Sequence, residues 1–361
     1  MERLNWHMAE ELAKHAEVRV IGPAGAAALA PHGVAVEEVS LKPLPRFLIG
    51  AQWKALRVAQ SWRPDIVLAG SGLTAPLAGL ASKACGATSA VYVHGLDLTV
   101  QHFVYRALWL PSIRRMDRVI ANSHATRERA IEAGVDADRI GIVHPGVELP
   151  HALSDPQAAT DYRVSHQLGR CSVLLSVGRL SQRKGMREFV ADVLPQIVAV
   201  KPDVILLIVG DAPKQALHAE TQSRESIQAI ADVNGVGRNI RFLGLISDSE
   251  LEILYHVADV HVFPVRHIRD DPEGFGMVAV EAAAHGMPTV AYATGGVVDA
   301  VVERRSGRLI RPGDAQGMAT AVLETLGGGE AMRESCKAFA ESFAWPAFGE
   351  KLRPMLGTRH D

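Results

Sequence analysis

Cysteine is scarce: Cys85, Cys171 and Cys336 are the only three in 361 residues, scattered and without a C-x-x-C pair. A disulfide framework or a structural zinc site is therefore not expected, and a reducing, cytoplasmic setting fits best. No apolar run reaches membrane-spanning length. The start, Met1-Glu2-Arg3-Leu4-Asn5-Trp6, leads into an amphipathic helix pattern and not into the apolar core of a signal peptide. A charge excess is also missing. The formal net charge of -2 argues against a general nucleic-acid binder, which needs a basic surplus to hold phosphates. Solenoid repeats and low-complexity tracts are absent as well.

What is present is the profile of a soluble globular protein: 48% hydrophobic and 22% charged residues, in a chain long enough for two domains. Short apolar runs alternate with longer amphipathic stretches. Val18-Ile21, Ile66-Ala69, Ala90-Val93, Val119-Ala121 and Gly141-Val143 form one series. A polar stretch from Ser154 to Gly169 interrupts the pattern. It resumes with Val173-Val177, Val204-Val209, Ile240-Leu243, Val260-Phe263 and Thr289-Tyr292. Apolar strands separated by helices predict parallel sheets covered on both faces. Two series predict an α/β protein of two Rossmann-like, doubly wound domains facing across a cleft. The predicted layout is a domain over 1–150, a linker over 151–170, a second domain over 171–340, and a segment over 341–361 packing back toward the first domain.

Ligands of such sheets bind beyond the carboxyl ends of the strands, and two motifs follow strands directly. In Pro272-Glu273-Gly274-Phe275-Gly276 a glycine-containing loop opens a helix that carries Glu281 and ends near Gly286. A free helix N-terminus suits a phosphate or a sugar hydroxyl. Each glutamate suits a vicinal diol, one on a ribose and one on a hexose. The ordinary alternative, two solvated glutamates, is weakened at Glu281 by the apolar Val278, Ala279, Ala282 and Ala283 around it. In Gly178-Arg179-Leu180-Ser181-Gln182-Arg183-Lys184-Gly185, Arg179 and Lys184 bracket a short loop and suit a diphosphate. Taken alone, that cluster reads as a solvated basic loop.

The two motifs together, with Glu273 and Glu281 in E-x7-E spacing, resemble the family 4 retaining glycosyltransferases. The resemblance extends over nearly the whole chain, through Ile120-Ala121-Asn122-Ser123, His144-Pro145-Gly146-Val147 and Thr294-Gly295-Gly296. It is nearest to bacterial envelope-sugar transferases, including the phosphatidylinositol mannosyltransferases. It implies a GT-B fold and transfer of a hexose from a UDP- or GDP-sugar to a glycan or lipid-linked acceptor, in polysaccharide, lipopolysaccharide or glycolipid synthesis. It assigns Gly178, Arg179 and Lys184 to the donor diphosphate. Glu273 is assigned to the transferred sugar, with the amides of Phe275 and Gly276 close by. Glu281 goes to the ribose, and Leu245 and Ile246 to the base. His94, at the end of a first-domain strand, would stabilise positive charge at the anomeric carbon, although a lone histidine is more often structural. Asp97 is a weaker candidate, its ordinary alternative being a helix cap. No general acid is required, since a phosphate leaves unprotonated. The resemblance also implies front-face attack within an ion pair. No cofactor and no metal are expected.

Rival readings are a nucleotide-sugar epimerase or a glycoside phosphorylase on the same scaffold, and a nucleotide-sugar-binding protein without turnover. Gly70-Ser71-Gly72-Leu73-Thr74-Ala75 fits a dinucleotide fingerprint, but the next strand ends at His94 and not at an acidic residue. Asp136-Ala137-Asp138 reads as surface, and His144 and His285 lack metal-ligand partners at useful spacing. The mixed stretches Arg46–Arg57 and Phe103–Leu110 are compatible with peripheral contact at the anionic inner face of a membrane, and equally with helices buried on one side. Finally, a domain of this kind should open with a buried strand and a glycine-rich loop. The pattern begins instead with the helix at Met1. The expectation is that the natural protein extends upstream, that the first strand is missing here, and that this chain is poorly active.

Overall fold

The computed structural model describes residues 2–150, 157–212 and 222–357. Met1, the first six residues of the 151–170 stretch and the last four of the 341–361 segment lie outside the described residues. The chain forms two compact units, one of residues 1–146 and 345–361, the other of residues 147–344.

The first unit contains two parallel sheets. β1 (Val18–Pro23) pairs with β2 (Val34–Val39). β3 (Ile66–Ala69), β4 (Thr88–Val93), β5 (Arg118–Ala121) and β6 (Ile140–Ile142) form the other, in that order. β4 is interior to its sheet and fully buried in its last four residues, so helices must cover both its faces. One cover is the C-terminal helix Trp345–Leu356. Its Phe348 lies against Tyr92 of β4, ring centroids 6.3 Å apart, and its Trp345 stacks on His7 of helix Glu2–Ala13 at 4.1 Å. The buried Tyr92 hydroxyl donates to Val143 O at 2.7 Å, which satisfies its one polar atom.

The second unit is one six-stranded parallel sheet. Its strands are β7 (Val173–Val177), β8 (Ile205–Val209), β9 (Ile240–Gly244), β10 (Val260–Phe263), β11 (Thr289–Tyr292) and β12 (Gly307–Ile310). The order across the sheet is β12-β11-β10-β7-β8-β9. Alternation sorts the side chains onto two faces. Leu174, Leu206, Ile208, Val260 and Val262 join one core, under helices Leu194–Val200, Arg224–Val233 and Ala315–Leu326. Val173, Leu175, Ile205, Leu207 and Val209 join another, with Tyr162, Leu254 and Tyr255.

Two strands, β2 and β12, were not anticipated from apolar runs, and both lie at sheet edges. β2 alternates intermediate and exposed positions, and its Glu38 accepts the amides of Gly25 and Ala27. In β12, Arg308 pairs with Glu303 and Glu324. Charged side chains within these two strands block further pairing at the edge and interrupt the apolar run that marks the other edge strands, β1, β3, β6 and β9.

The order of the second sheet also locates the site. β7 opens the unit, yet lies between β8, which follows it, and β10. The chain therefore runs outward in opposite directions on either side of the β7–β10 boundary. The helices that follow these two strands diverge there and leave a crevice at their carboxyl ends. Both sequence motifs emerge into it.

Candidate active site

The loop after β7 is pinned before it turns. Gly178 N donates to Val209 O at 3.0 Å and Leu180 N to Asp211 O at 3.0 Å. A single 3-10 turn, Gln182–Lys184, then ends at Gly185 with φ 68°. A Cβ on Gly185 would lie 2.1 Å from Pro264 O, so only glycine lets this turn reach the backbone that follows β10. Arg266 N donates to Arg183 O at 2.8 Å and completes the join.

That contact brings the two motifs together. Lys184 Nζ donates to Glu273 Oε2 at 2.7 Å. The ammonium also sits 4.7 Å above the Phe263 ring. Arg183 Nη1 donates to Pro272 O at 2.7 Å and lies 3.6 Å from Glu273 Oε2, while its Nε is 3.5 Å from Asp271 Oδ2. The side chains of Arg183, Lys184 and Glu273 are only 11%, 16% and 11% exposed, so these charges interact with little screening. Arg179 differs. It is exposed and makes no hydrogen bond or ion pair with another described residue.

The electrostatics follow from three cations sharing one carboxylate. Burial raises the Glu273 pKa, but Lys184, Arg183 and Arg179 outweigh it and hold the carboxyl below its usual range. Lys184 is lowered by burial and by crowding from Arg183 and Arg179, against the pull of Glu273. Arg183 is matched by Asp271 and Lys184 by Glu273, which leaves the positive charge of Arg179 unmatched among the described residues. The crevice favours an anion.

The glutamate loop is held from behind. Gly296 N donates to Glu273 O at 3.0 Å, and the Phe275 ring is buried 5.8 Å from Phe343. Gly276 then opens helix Met277–Ala284, whose first turn has no side-chain cap. Glu281, the fifth residue of that helix, is half-buried and accepts from the Tyr255 hydroxyl at 3.3 Å. Tyr255 stacks on His285 at 4.7 Å, and the His285 Nδ1 lies 2.9 Å from Glu281 O. Leu245 follows β9 and is 83% exposed, an apolar surface without cover, whereas Ile246 packs into the core below it. Gly210 N donates to Gly244 O at 2.8 Å and stitches the ends of β8 and β9 together.

His94 follows β4 in the first unit. Its Nε2 lies 3.0 Å from Gly70 O, and its main-chain N–H donates to Asp97 Oδ2 at 2.9 Å. Asp97 thus staples the turn that carries His94. Burial lowers the His94 pKa, with Asp97 opposing, and this keeps the ring neutral near pH 7. A neutral ring facing a carbonyl carries its proton on Nε2.

The structure therefore brings Gly178, Arg179, Lys184, Glu273, Phe275 and Gly276 into one crevice. Glu281 lies farther along the helix, Leu245 and Ile246 lie beyond β8, and His94 sits in the other unit. Arg183, Asp271 and Tyr255 were not anticipated. Arg183 and Asp271 each lie one or two residues from a residue that was, which is the only signal the sequence carries. His144, read from the sequence as lacking a ligand partner, in fact stands beside His124 in the first unit, ring centroids 5.9 Å apart; spacing along the chain hides the pair because a strand end and a helix start bring them together.

Comparison with known proteins agrees with this architecture. Residues 1–150 match the family described as Glycosyltransferase Family 4, and residues 171–327 match Glycosyl transferases group 1. A GDP-mannose-dependent alpha-(1-6)-phosphatidylinositol monomannoside mannosyltransferase of Mycolicibacterium smegmatis is 30% identical over 68% of this chain and 63% of its own. The protein of the same description from Mycobacterium tuberculosis is 30% identical over 73% and 67%. A D-inositol 3-phosphate glycosyltransferase of a Mycobacterium species is 33% identical over 63% and 49%. The chain thus spans roughly half to two thirds of the length of these relatives. Among solved structures, Anabaena Alr3699/HepE in complex with UDP superposes with a TM-score of 0.81 at 23% identity, over 99% of this chain and 95% of that one. WaaG, a glycosyltransferase involved in lipopolysaccharide biosynthesis, gives 0.67 at 16%, over 99% and 96%. With both halves matched, a relative at 30% identity covered over two thirds of its length, and parallel α/β sheets in both units, the chain belongs to the family 4, group 1 glycosyltransferases.

Proposed function

We propose that this protein is a retaining glycosyltransferase that moves a hexose from a nucleotide diphosphate donor to a glycan or lipid-linked acceptor of the cell envelope. The observation that carries the reading is the buried Lys184–Glu273 pair at the β7–β10 crevice, with the exposed Arg179 beside it. Breaking the anomeric bond loads negative charge onto the departing diphosphate. Arg179, Lys184 and the uncapped helix N-terminus at Gly276 are positive groups suited to receive it. Glu273 accepts hydroxyls of the transferred sugar, Glu281 accepts the ribose diol, and Leu245, backed by Ile246, offers apolar surface to the base. His94 keeps the role the resemblance implies for it, toward the acceptor and the positive charge at the anomeric carbon. The acceptor attacks from the face the diphosphate leaves, and the diphosphate takes its proton. The cations of the crevice supply the charge that a metal would otherwise provide. Relatives described as GDP-mannose-dependent and a structural neighbour solved with UDP-glucose support a UDP- or GDP-sugar donor.

The deciding experiment incubates the chain with UDP-glucose or GDP-mannose, with and without candidate acceptors, in EDTA. Free nucleoside diphosphate should appear only with acceptor, and NMR of the product should show the donor's anomeric configuration. An epimerised donor formed without acceptor, or turnover restored only by magnesium or manganese, counts against the reading. Glu281→Ala should weaken nucleotide binding by about 1.5–3 kcal/mol in calorimetry, the worth of a hydrogen bond to a charged group. Unchanged affinity removes Glu281 from the site.

A peripheral membrane setting, on the cytoplasmic side, has its support in the first unit. Ile49 and Trp53 are 72% and 60% exposed, one turn apart on helix Leu44–Trp62, among the exposed Lys42, Arg46 and Arg57. Phe103 and Leu108 are exposed beside Arg106. Apolar groups framed by cations fit an anionic leaflet. The three cysteines are unpaired, as suits a reducing compartment. No helix among the described residues is long and apolar enough to cross a membrane. Co-sedimentation with vesicles containing anionic lipid, lost in Trp53→Ala, is the expected result; no sedimentation at all refutes the setting.

A further inference from the structure

We propose that Arg183 is the counter-ion that keeps Glu273 ionised when Lys184 turns from it to the donor diphosphate. The inference rests on the donor-site reading above. Lys184 has one ammonium and two claims on it: Glu273 at 2.7 Å, and the charge that grows on the leaving group. A lysine is a point charge on a flexible stem and can swing toward the stronger anion. Glu273 cannot follow. Its side chain is 11% exposed and its own carbonyl is bonded to Gly296 N. A carboxylate left there without a cation takes up a proton, and once protonated it loses acceptor capacity toward the sugar hydroxyls.

Arg183 is placed to prevent that, and unlike Lys184 it is fixed. Its Nη1 donates to Pro272 O at 2.7 Å, its Nε lies 3.5 Å from Asp271 Oδ2, and its main-chain O accepts from Arg266 N. With its side chain 11% exposed, the guanidinium stays 3.6 Å from Glu273 Oε2 wherever Lys184 goes. The other charged and titratable groups around the pair do not substitute for it. Arg179 is exposed and turns with Lys184 to the diphosphate. Asp271 faces Arg183. His261 on β10 faces Lys184 and is fully buried; burial and Lys184 push its pKa down to about 3, so it stays neutral. The Thr294–Gly296 turn meets Glu273 through main chain only.

Arg183 is thus a positioning residue acting through Glu273, and the test is the pH profile of kcat at saturating donor. A carboxylate held ionised by a cation needs more acid to protonate, so removing the cation moves the acid limb to higher pH. In Arg183→Gln, which keeps an amide donor for Pro272 O, the limb should rise by about one pH unit or more. Arg183→Met should behave alike, as checked on whichever variant keeps the wild-type melting temperature. Arg183→Lys should return the limb to its wild-type position, and Asp271→Asn, which leaves the guanidinium charge in place, should not raise it. Nucleotide affinity should stay within about threefold throughout, because the lost group does not touch the nucleotide. An unmoved limb in Arg183→Gln, or equal shifts in Arg183→Gln and Arg183→Lys, overturns the assignment. Glu273→Gln separates the two levels of inference. Full turnover in that variant brings down the donor-site reading together with this assignment, whereas an inactive Glu273→Gln beside an unmoved limb brings down this assignment alone.

Discussion

Lys184→Ala is expected to lower kcat at saturating donor by about 10²–10³-fold, the usual loss for one preorganised group that meets transition-state charge. The ammonium is desolvated, so its field on the diphosphate is stronger than a surface lysine could provide. The variant has a second consequence. Glu273 loses its 2.7 Å partner while remaining buried, and breaking a buried pair costs about 3–5 kcal/mol when nothing replaces the lost partner. Here Arg183 remains at 3.6 Å, so the loss of stability should fall below that range. The effect has a pH sign. Glu273 is held below its unfolded pKa, so its contribution to stability is present above that unfolded value and fades as acid protonates it in the fold. With Lys184 gone, that fading should begin at higher pH. Single-turnover kinetics and urea unfolding at several pH values check both halves, and wild-type turnover in a folded Lys184→Ala protein refutes the role.

Legibility in the sequence followed a physical rule. Strands buried on both faces, such as β8 and β10, announce themselves as apolar runs, while the edges β2 and β12 do not, because half their surface is charged or exposed. At the site, Lys184 and Glu273 were readable as residue types suited to a diphosphate and a sugar. That they bond to each other is not readable, because the sequence matches each to a ligand on its own. Their pairing depends on Gly185 letting one backbone reach another, a close approach that spacing does not encode. Arg183 was hidden for a related reason. A third cation in a polar loop reads as solvated until Asp271 and Pro272 O are seen around it. His94 was read for its ring, and the ring is there, but its Nε2 is committed to Gly70 O. A carbonyl partner of that sort lies in another strand's turn and leaves no mark on local sequence.

Gly296→Ala, far smaller in chemical terms, is expected to be nearly as damaging as Lys184→Ala. The backbone of Gly296 has φ -74°, helical and open to any residue, so the cost is not conformational. It is steric. A Cβ there would lie 2.0 Å from Gly274 O and 2.7 Å from Phe275 Cα. Those are main-chain atoms, and they cannot step aside as a flexible side chain can. Either the Thr294–Gly296 turn or the loop over 272–276 must retreat, which breaks the Gly296 N to Glu273 O bond and carries Glu273 away from Lys184. Overpacking of this kind costs about 1–3 kcal/mol of stability, and a misplacement of about 1 Å in a catalytic constellation costs on the order of 10²-fold in rate. Gly327→Ala is the control: its Cβ would meet only Glu324 O, at 3.4 Å, an ordinary contact. That variant should match wild type in melting temperature and kcat. If Gly296→Ala matches it too, the turn does not hold the glutamate loop, and the preorganisation of Glu273 must come from the Arg183 side alone.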